Sequence, residues 1–244
     1  DLFLNGIPYI VDPGSYVYTS DCESRNKFRS TEYHNTIMID NEEINNFRKD
    51  NLFQMDECAN PVVKNWISNQ EYDYFEGMHI GYTRRDTPLI HERRILFHKS
   101  MEAWLFQDIV YFDSSSKKTK ISHKHNIKSN LHFGPMKIVK GDCRQPLCDI
   151  IALDVPQKII KQTLVKKMAI PTFLVKDVQG RDEIFLQILD SPDQLKMDLS
   201  NGWVSPSYGV KFEAPVLSMA GYVCVPFKLT YLIGGKSKNL NYLH

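Results

Sequence analysis

Apolar and polar side chains alternate along most of the chain. Ile7 to Val11, Thr36 to Ile39, Leu89 to Phe97, Trp104 to Phe112, Lys118 to His125, Ile184 to Leu189 and Lys228 to Ile233 show period-two patterning and are rich in β-branched and aromatic residues, which predicts strands. Turn-forming clusters stand between them: Asp12-Pro13-Gly14, Asp113 with the serines after it, Lys140-Gly141-Asp142, Gln179-Gly180-Arg181, Ser191-Pro192-Asp193 and Asn201-Gly202. Their spacing predicts long antiparallel strands in stacked sheets. A helical period is hard to find. The two stretches without early breakers, Asn41 to Lys49 and Gln157 to Lys167, have poor apolar faces and predict short turns at most. The polar run from Asp40 to Asn46 predicts an exposed loop, the kind of segment that carries function on a rigid sheet. The pattern reads as one all-β domain over residues 1–244, a large antiparallel β-sandwich.

Composition narrows the classes. Lys+Arg 30 against Asp+Glu 29 gives a net charge of +1, which lacks the basic footprint of a nucleic-acid-binding protein, so an anionic ligand has to be held locally. Hydrophobic residues at 42% and charged residues at 24% suit an ordinary globular core. No apolar run approaches the ~18 residues of a membrane helix, and Asp1-Leu2-Phe3-Leu4 has no basic stretch of a signal peptide before it. The alternation under way at Leu2 and Leu4, with no starting Met, leads us to expect a piece of a longer chain. The five cysteines, Cys22, Cys58, Cys143, Cys148 and Cys224, are scattered without zinc-site spacing and read as unpaired thiols or core residues.

The densest polar chemistry lies near the start. Asn5-Gly6-Ile7-Pro8-Tyr9-Ile10-Val11-Asp12-Pro13-Gly14-Ser15-Tyr16-Val17-Tyr18 ends a strand on an acid, and Arg25 to Asp40 adds Arg25, Arg29, His34 and Asn35 before the next strand. Residues alone allow a bland reading beside the functional one. Asp12 then caps a turn, His34 satisfies a backbone carbonyl, Arg25 and Arg29 are solvated charges, Asn35 forms a turn, and Tyr16 and Tyr18 pair at a strand edge.

Asn5-Gly6 through Tyr16 and Phe28-Arg29-Ser30-Thr31 through His34-Asn35-Thr36 to Asp40 closely resemble two segments of heparinase II/III-like polysaccharide lyases. Gly81 to Arg85, His91 to Phe97, Trp104 to Asp108, Leu131 to Pro135 and Gly202 to Gly209 follow in the family's order. The resemblance implies the C-terminal β-sandwich, supersandwich-like, of an enzyme whose N-terminal α/α-toroid supplies further catalytic residues. This chain lacks that toroid, and also the His-x-His-x-Asp stretch that the family carries just upstream, so the isolated chain is expected to be inactive.

What the resemblance implies for the site is specific. Asp12 and His34 become two ligands of a metal, zinc, in members that bind one, with a structural role at the turn. The reaction is β-elimination on a uronic-acid polysaccharide: neutralise the carboxylate, remove the α-proton, expel the glycosidic oxygen. Tyr18 and His34 are the proton-transfer candidates, and Arg25, Arg29 and Asn35 the substrate-binding ones. The partners implied are an acidic polysaccharide (glycosaminoglycan-like, alginate-like or a bacterial surface polymer) and the toroid, in a periplasmic or cell-surface setting. A non-catalytic carbohydrate-binding or scaffolding sandwich is the alternative from another class. His79, His91 and His98 fall in expected strands. His123 and His125, two apart, have a chelating spacing that more often only lines a surface. Arg84, Arg85, Arg93 and Arg94 suit either a cross-strand basic band or ion pairing with Asp86 and Glu92.

Overall fold

A computed structural model of the chain describes residues 1–117, 123–143, 170–177 and 183–235. Residues 118–122 of the expected strand Lys118 to His125, the stretch Gln157 to Lys167, the turn Gln179 to Arg181 and Cys148 lie outside the described residues.

The order is β1 (Leu2–Leu4), β2 (Ile7–Ile10), α1 (Cys22–Phe28), β3 (Ile37–Ile39), β4 (Val62–Ser68), β5 (Tyr72–His79), β6 (Leu89–His98), β7 (Ala103–Phe112), β8 (Lys124–His132), β9 (Lys137–Cys143), β10 (Ile170–Lys176), β11 (Glu183–Asp190), β12 (Lys196–Ser207), β13 (Val210–Cys224) and β14 (Phe227–Gly235). Among the described residues these make an eight-stranded sheet, β4-β5-β6-β7-β14-β11-β10-β9, a four-stranded sheet, β12-β13-β8-β3, and the β1-β2 hairpin. Every strand pair is antiparallel. The all-β fold with large antiparallel sheets is therefore the one the alternation predicts.

Alternation also explains the core. Leu229, Tyr231 and Ile233 of β14 join Ile184 and Leu186 of β11 in one buried cluster with Ile127 and Leu131 of β8 and Leu217 and Met219 of β13. This cluster binds the large sheet to the small one, each buried Leu or Ile contributing about 1.5–3 kcal/mol. Leu232, one step out of phase, belongs with Leu96, Leu105, Phe185 and Tyr74 in a second cluster. The central strand β14 is thus buried on both faces, which is why it reads as a nearly continuous apolar run.

Two expected turns are strand interiors. Lys140-Gly141-Asp142 lies within β9 and Asn201-Gly202 within β12. Gly202 is there for space: a Cβ on it would stand 2.6 Å from the Val216 side chain of the neighbouring strand. The helix α1 was not expected, because its seven residues bury only Phe28 and leave no apolar stripe. Its start is fixed by Asp21, whose carboxylate accepts the Ser24 N–H at 3.0 Å. Asn41 to Lys49 is non-helical, as its weak face predicts. No helix among the described residues is long and apolar enough to cross a membrane. Cys22, Cys58 and Cys224 are free thiols.

Candidate functional site

The strand β2 delivers Asp12. Val11 N–H donates to the His132 carbonyl and Gly134 N–H to that of Tyr9, so the segment continues along the end of β8. The chain then turns sharply, with Gly14 N–H donating to Asp12 Oδ1 at 2.9 Å. Gly14 sits at φ +79, and a Cβ there would lie 2.3 Å from the Ser205 carbonyl oxygen, so only glycine fits. Ser205 N–H in turn donates to the Pro13 carbonyl at 2.8 Å. Tyr16 is left-handed at φ +57, a costly conformation for an aromatic residue, and its carbonyl accepts Gly209 N–H at 2.7 Å from the β12-β13 turn.

The second segment delivers His34. After α1, a 3-10 turn over Thr31–Tyr33 ends on His34, whose backbone is extended at φ −121 and ψ 163. His34 Nδ1 and Asp12 Oδ2 meet at 2.6 Å with both side chains partly exposed. Burial pushes the Asp12 carboxyl up, but the hydrogen bond and charge of His34 and the Gly14 N–H outweigh it and hold the group below the ordinary carboxylate range. In the tautomer whose Nδ1–H donates to Asp12, Nε2 is the ring's acceptor nitrogen.

Asp12 and His34 line a cavity of about 400 Å³ shared with Arg25, Arg29, Thr31 and Glu43. Four of the six residues singled out from the sequence therefore meet in one place. The two arginines differ. Arg29 is 8% exposed, and its guanidinium donates to Asn26 Oδ1 and to the carbonyls of Arg48 and Gln54 while covering the Phe47 ring at 4.1 Å. It clamps the 44–58 loop. Arg25 spends only Nε, on the Leu52 carbonyl at 3.2 Å, and has no carboxylate partner among the described residues. It is the cation of the cavity with capacity to spare. Glu43, which sequence reasoning placed in the loop without a role, reaches back so that Thr31 N–H donates to its carboxylate at 2.6 Å.

Asn35 and Tyr18 do not line the cavity. The Asn35 amide donates to the Val11 carbonyl at 2.9 Å and accepts His132 N–H at 2.7 Å, so it joins the ends of β2 and β8 beside His34. Its carbonyl accepts Arg93 Nη1 at 2.6 Å. Tyr18 stands outside, with the Arg25 guanidinium 5.6 Å from its ring centre.

Behind the site runs a buried chain that the sequence did not disclose. Arg93 pairs with Asp108 across β6 and β7 at 2.7 and 2.9 Å, His91 Nε2 meets Asp108 at 2.8 Å, and His79 Nε2 meets His91 Nδ1 at 3.1 Å. The Asp108 carboxyl is buried yet held far below its usual range, because Arg93 and His91 outweigh the loss of solvent. Burial pushes His79 down to about 3 and His132 down to about 4, so both are neutral near pH 7. The basic band does not form. Arg94 pairs with Glu92 at 2.6 Å, Arg85 pairs with Glu42, and Arg84 donates to the Ile44 carbonyl and Asn46 Oδ1. His125 is bound to Asp40 at 2.6 Å, whereas His123 lies edge-on to Phe112.

Asp12 and His34 suit zinc in kind but not as they stand. Two ligand atoms on one tetrahedral zinc stand about 3.3 Å apart given bonds of about 2.0–2.1 Å, whereas these two share a hydrogen bond. Among the described residues no third His, Cys, Asp or Glu completes a cluster.

Comparison with known proteins follows the same lines. The profile of the family described as heparinase II/III-like, C-terminal, matches residues 1–229. A crystal structure of heparan sulfate lyase HepC from Pedobacter heparinus superposes with a TM-score of 0.62 at 15% identity, covering 96% of this chain and 29% of that one. A heparinase III with methylated lysines superposes with a TM-score of 0.65 at 18% identity, covering 98% and 29%. The chain thus spans under a third of the length of these structures. A search of curated proteins returns no match. Matched along nearly its whole length, the chain belongs to the heparinase II/III-like C-terminal family.

Proposed function

We propose that this domain forms one wall of the cleft of a polysaccharide lyase that cleaves a uronic-acid-containing polymer by β-elimination. The observation that carries the reading is the Asp12–His34 contact of 2.6 Å lining a cavity of about 400 Å³ with Arg25, which has no carboxylate ion pair among the described residues. Each part has a task. Arg25 holds the substrate carboxylate and stabilises the enolate-like charge that builds on it. His34 Nε2 takes the α-proton, and Asp12 fixes the tautomer and steadies the imidazolium that results. The carbon–hydrogen electron pair becomes the new double bond, the glycosidic carbon–oxygen bond breaks, and the Tyr18 hydroxyl delivers a proton to the departing oxygen. Arg29 and Asn35 serve by holding the loop and the His34 segment.

An α/α-toroid would face this wall, and the substrate would be an acidic polysaccharide at a bacterial periplasm or cell surface. Zinc enters this proposal only with donors from outside the described residues, and no step is routed through it. The test uses the full-length protein with uronic-acid polymers, following the ultraviolet absorbance of unsaturated uronate. Cleavage lost in His34→Ala is expected. Undiminished cleavage in both His34→Ala and Asp12→Ala sinks the proposal. Affinity for polymer without any absorbance change selects the second reading, a non-catalytic carbohydrate-binding sandwich.

A further inference from the structure

Beside the cavity stands a row of aromatic rings that no core absorbs. Tyr18 is 47% exposed, Tyr208 61% and Phe53 69%. Tyr18 lies 5.5 Å from Tyr208 on one side and 6.2 Å from Phe53 on the other, ring centre to ring centre. These residues come from three distant segments, so their convergence is a product of the fold rather than of one greasy stretch.

Polar bonds fix the backbone beside Tyr208 and Phe53. Tyr208 occupies the two-residue turn between Ser207 and Val210, and the next residue, Gly209, anchors that turn to the Tyr16 carbonyl. Phe53 is gripped on both sides by the cavity arginines: Arg25 binds the Leu52 carbonyl and Arg29 the Gln54 carbonyl. Arg25 also covers the Tyr18 ring and lines the cavity, so the row and the cavity share a cation. An exposed cluster of this kind is a binding surface. Flat rings present a face to the axial C–H bonds of a pyranose, and a guanidinium beside them selects sugars that carry an acid group.

We propose that Phe53, Tyr18 and Tyr208 form a stacking track for the acidic pyranose residues that extend beyond the His34 cavity, with Arg25 at the junction holding a carboxylate or sulfate. The inference rests on the reading that the cavity takes an acidic polysaccharide.

The experiment is calorimetric titration of the full-length protein, in a His34→Ala background that spares the ligand, with uronic-acid disaccharide, tetrasaccharide and hexasaccharide. Tyr208→Ala and Phe53→Ala are expected to weaken hexasaccharide binding about tenfold each, the loss growing with ligand length. Tyr208→Phe keeps the ring and the affinity, and Tyr222→Ala, an exposed tyrosine of β13 outside the row, changes nothing. Unaltered hexasaccharide affinity in both alanine variants, with their thermal melts intact, overturns the track. The two proposals fail separately. Length-dependent loss in a protein that yields no unsaturated uronate keeps the track and removes the lyase. Cleavage by the unmutated protein with no length-dependent loss does the reverse.

Discussion

Arg93 and Asn35 are joined through the backbone: the guanidinium that neutralises buried Asp108 gives its remaining Nη1–H to the Asn35 carbonyl, one residue from His34. The large sheet therefore reaches the site through the Arg93 side chain. Arg93→Met leaves buried Asp108 with His91 but without its guanidinium partner and is expected to cost about 3 kcal/mol in urea unfolding. Adding Asp108→Leu should restore much of that stability. It should not restore cleavage, because the hold on the His34 segment stays lost, and full recovery of kcat in the double variant would refute the coupling.

Acid should unfold the protein early. Burial lowers the folded pKa of His79 from 6.5 to about 3 and of His132 to about 4. A depressed histidine favours the folded state fully above its unfolded value of 6.5, and that contribution drains away as pH falls toward the folded value. Each group should cost up to about 1.4 kcal/mol per pH unit in that window. Urea midpoints at pH 7, 6, 5 and 4 check this, and His79→Gln should flatten the slope.

Asp12→Asn keeps the size of the side chain while removing the charge that orients His34. Cleavage by the full-length protein should fall about a hundredfold or more in kcat, with little change in KM. A loss confined to KM would instead place Asp12 in binding.

Gly14→Ala meets the Ser205 carbonyl at 2.3 Å and also a left-handed backbone. A destabilisation of about 1–3 kcal/mol is expected by thermal unfolding. Gly6→Ala is the comparison, since Gly6 is left-handed at φ +78 with open space around it.

Zinc offers a fifth handle. The 244-residue chain dialysed against zinc should retain less than one equivalent by elemental analysis, because two hydrogen-bonded donors make an incomplete shell. One full equivalent, lost in His34→Ala, would show that the pair opens around a metal.

The parts legible in the sequence were those with a buried face. β2, β3, β6, β7, β11 and β14 each lie where the apolar patterning puts them, β6 and β7 with one face more buried than the other and β3, β11 and β14 as nearly continuous buried runs. β4 is exposed along its whole length and β12 along much of it, so neither carries an alternating signal. Within the site, local chemistry marked a dense polar cluster and the family resemblance singled out Asp12, His34, Arg25 and Arg29 in it, which the fold gathers round one cavity. Asn35 was grouped with them because it adjoins His34. Its partners, Val11 and His132, lie at the ends of two other strands and leave no local mark. The Arg93–Asp108 pair was hidden for the same reason, since it exists only through the register of β6 on β7.

The bonds that fasten the opening motif to the β12-β13 hairpin set the order of assembly. Trp203 N–H donates to Tyr33 Oη, Ser205 N–H to Pro13 and Gly209 N–H to Tyr16, so residues near the front of the chain wait for strands near its end. Contacts of such long sequence separation form late and slow the search. The cleft is therefore among the last regions to mature, and shortening the chain before that hairpin would dismantle it without touching Asp12 or His34.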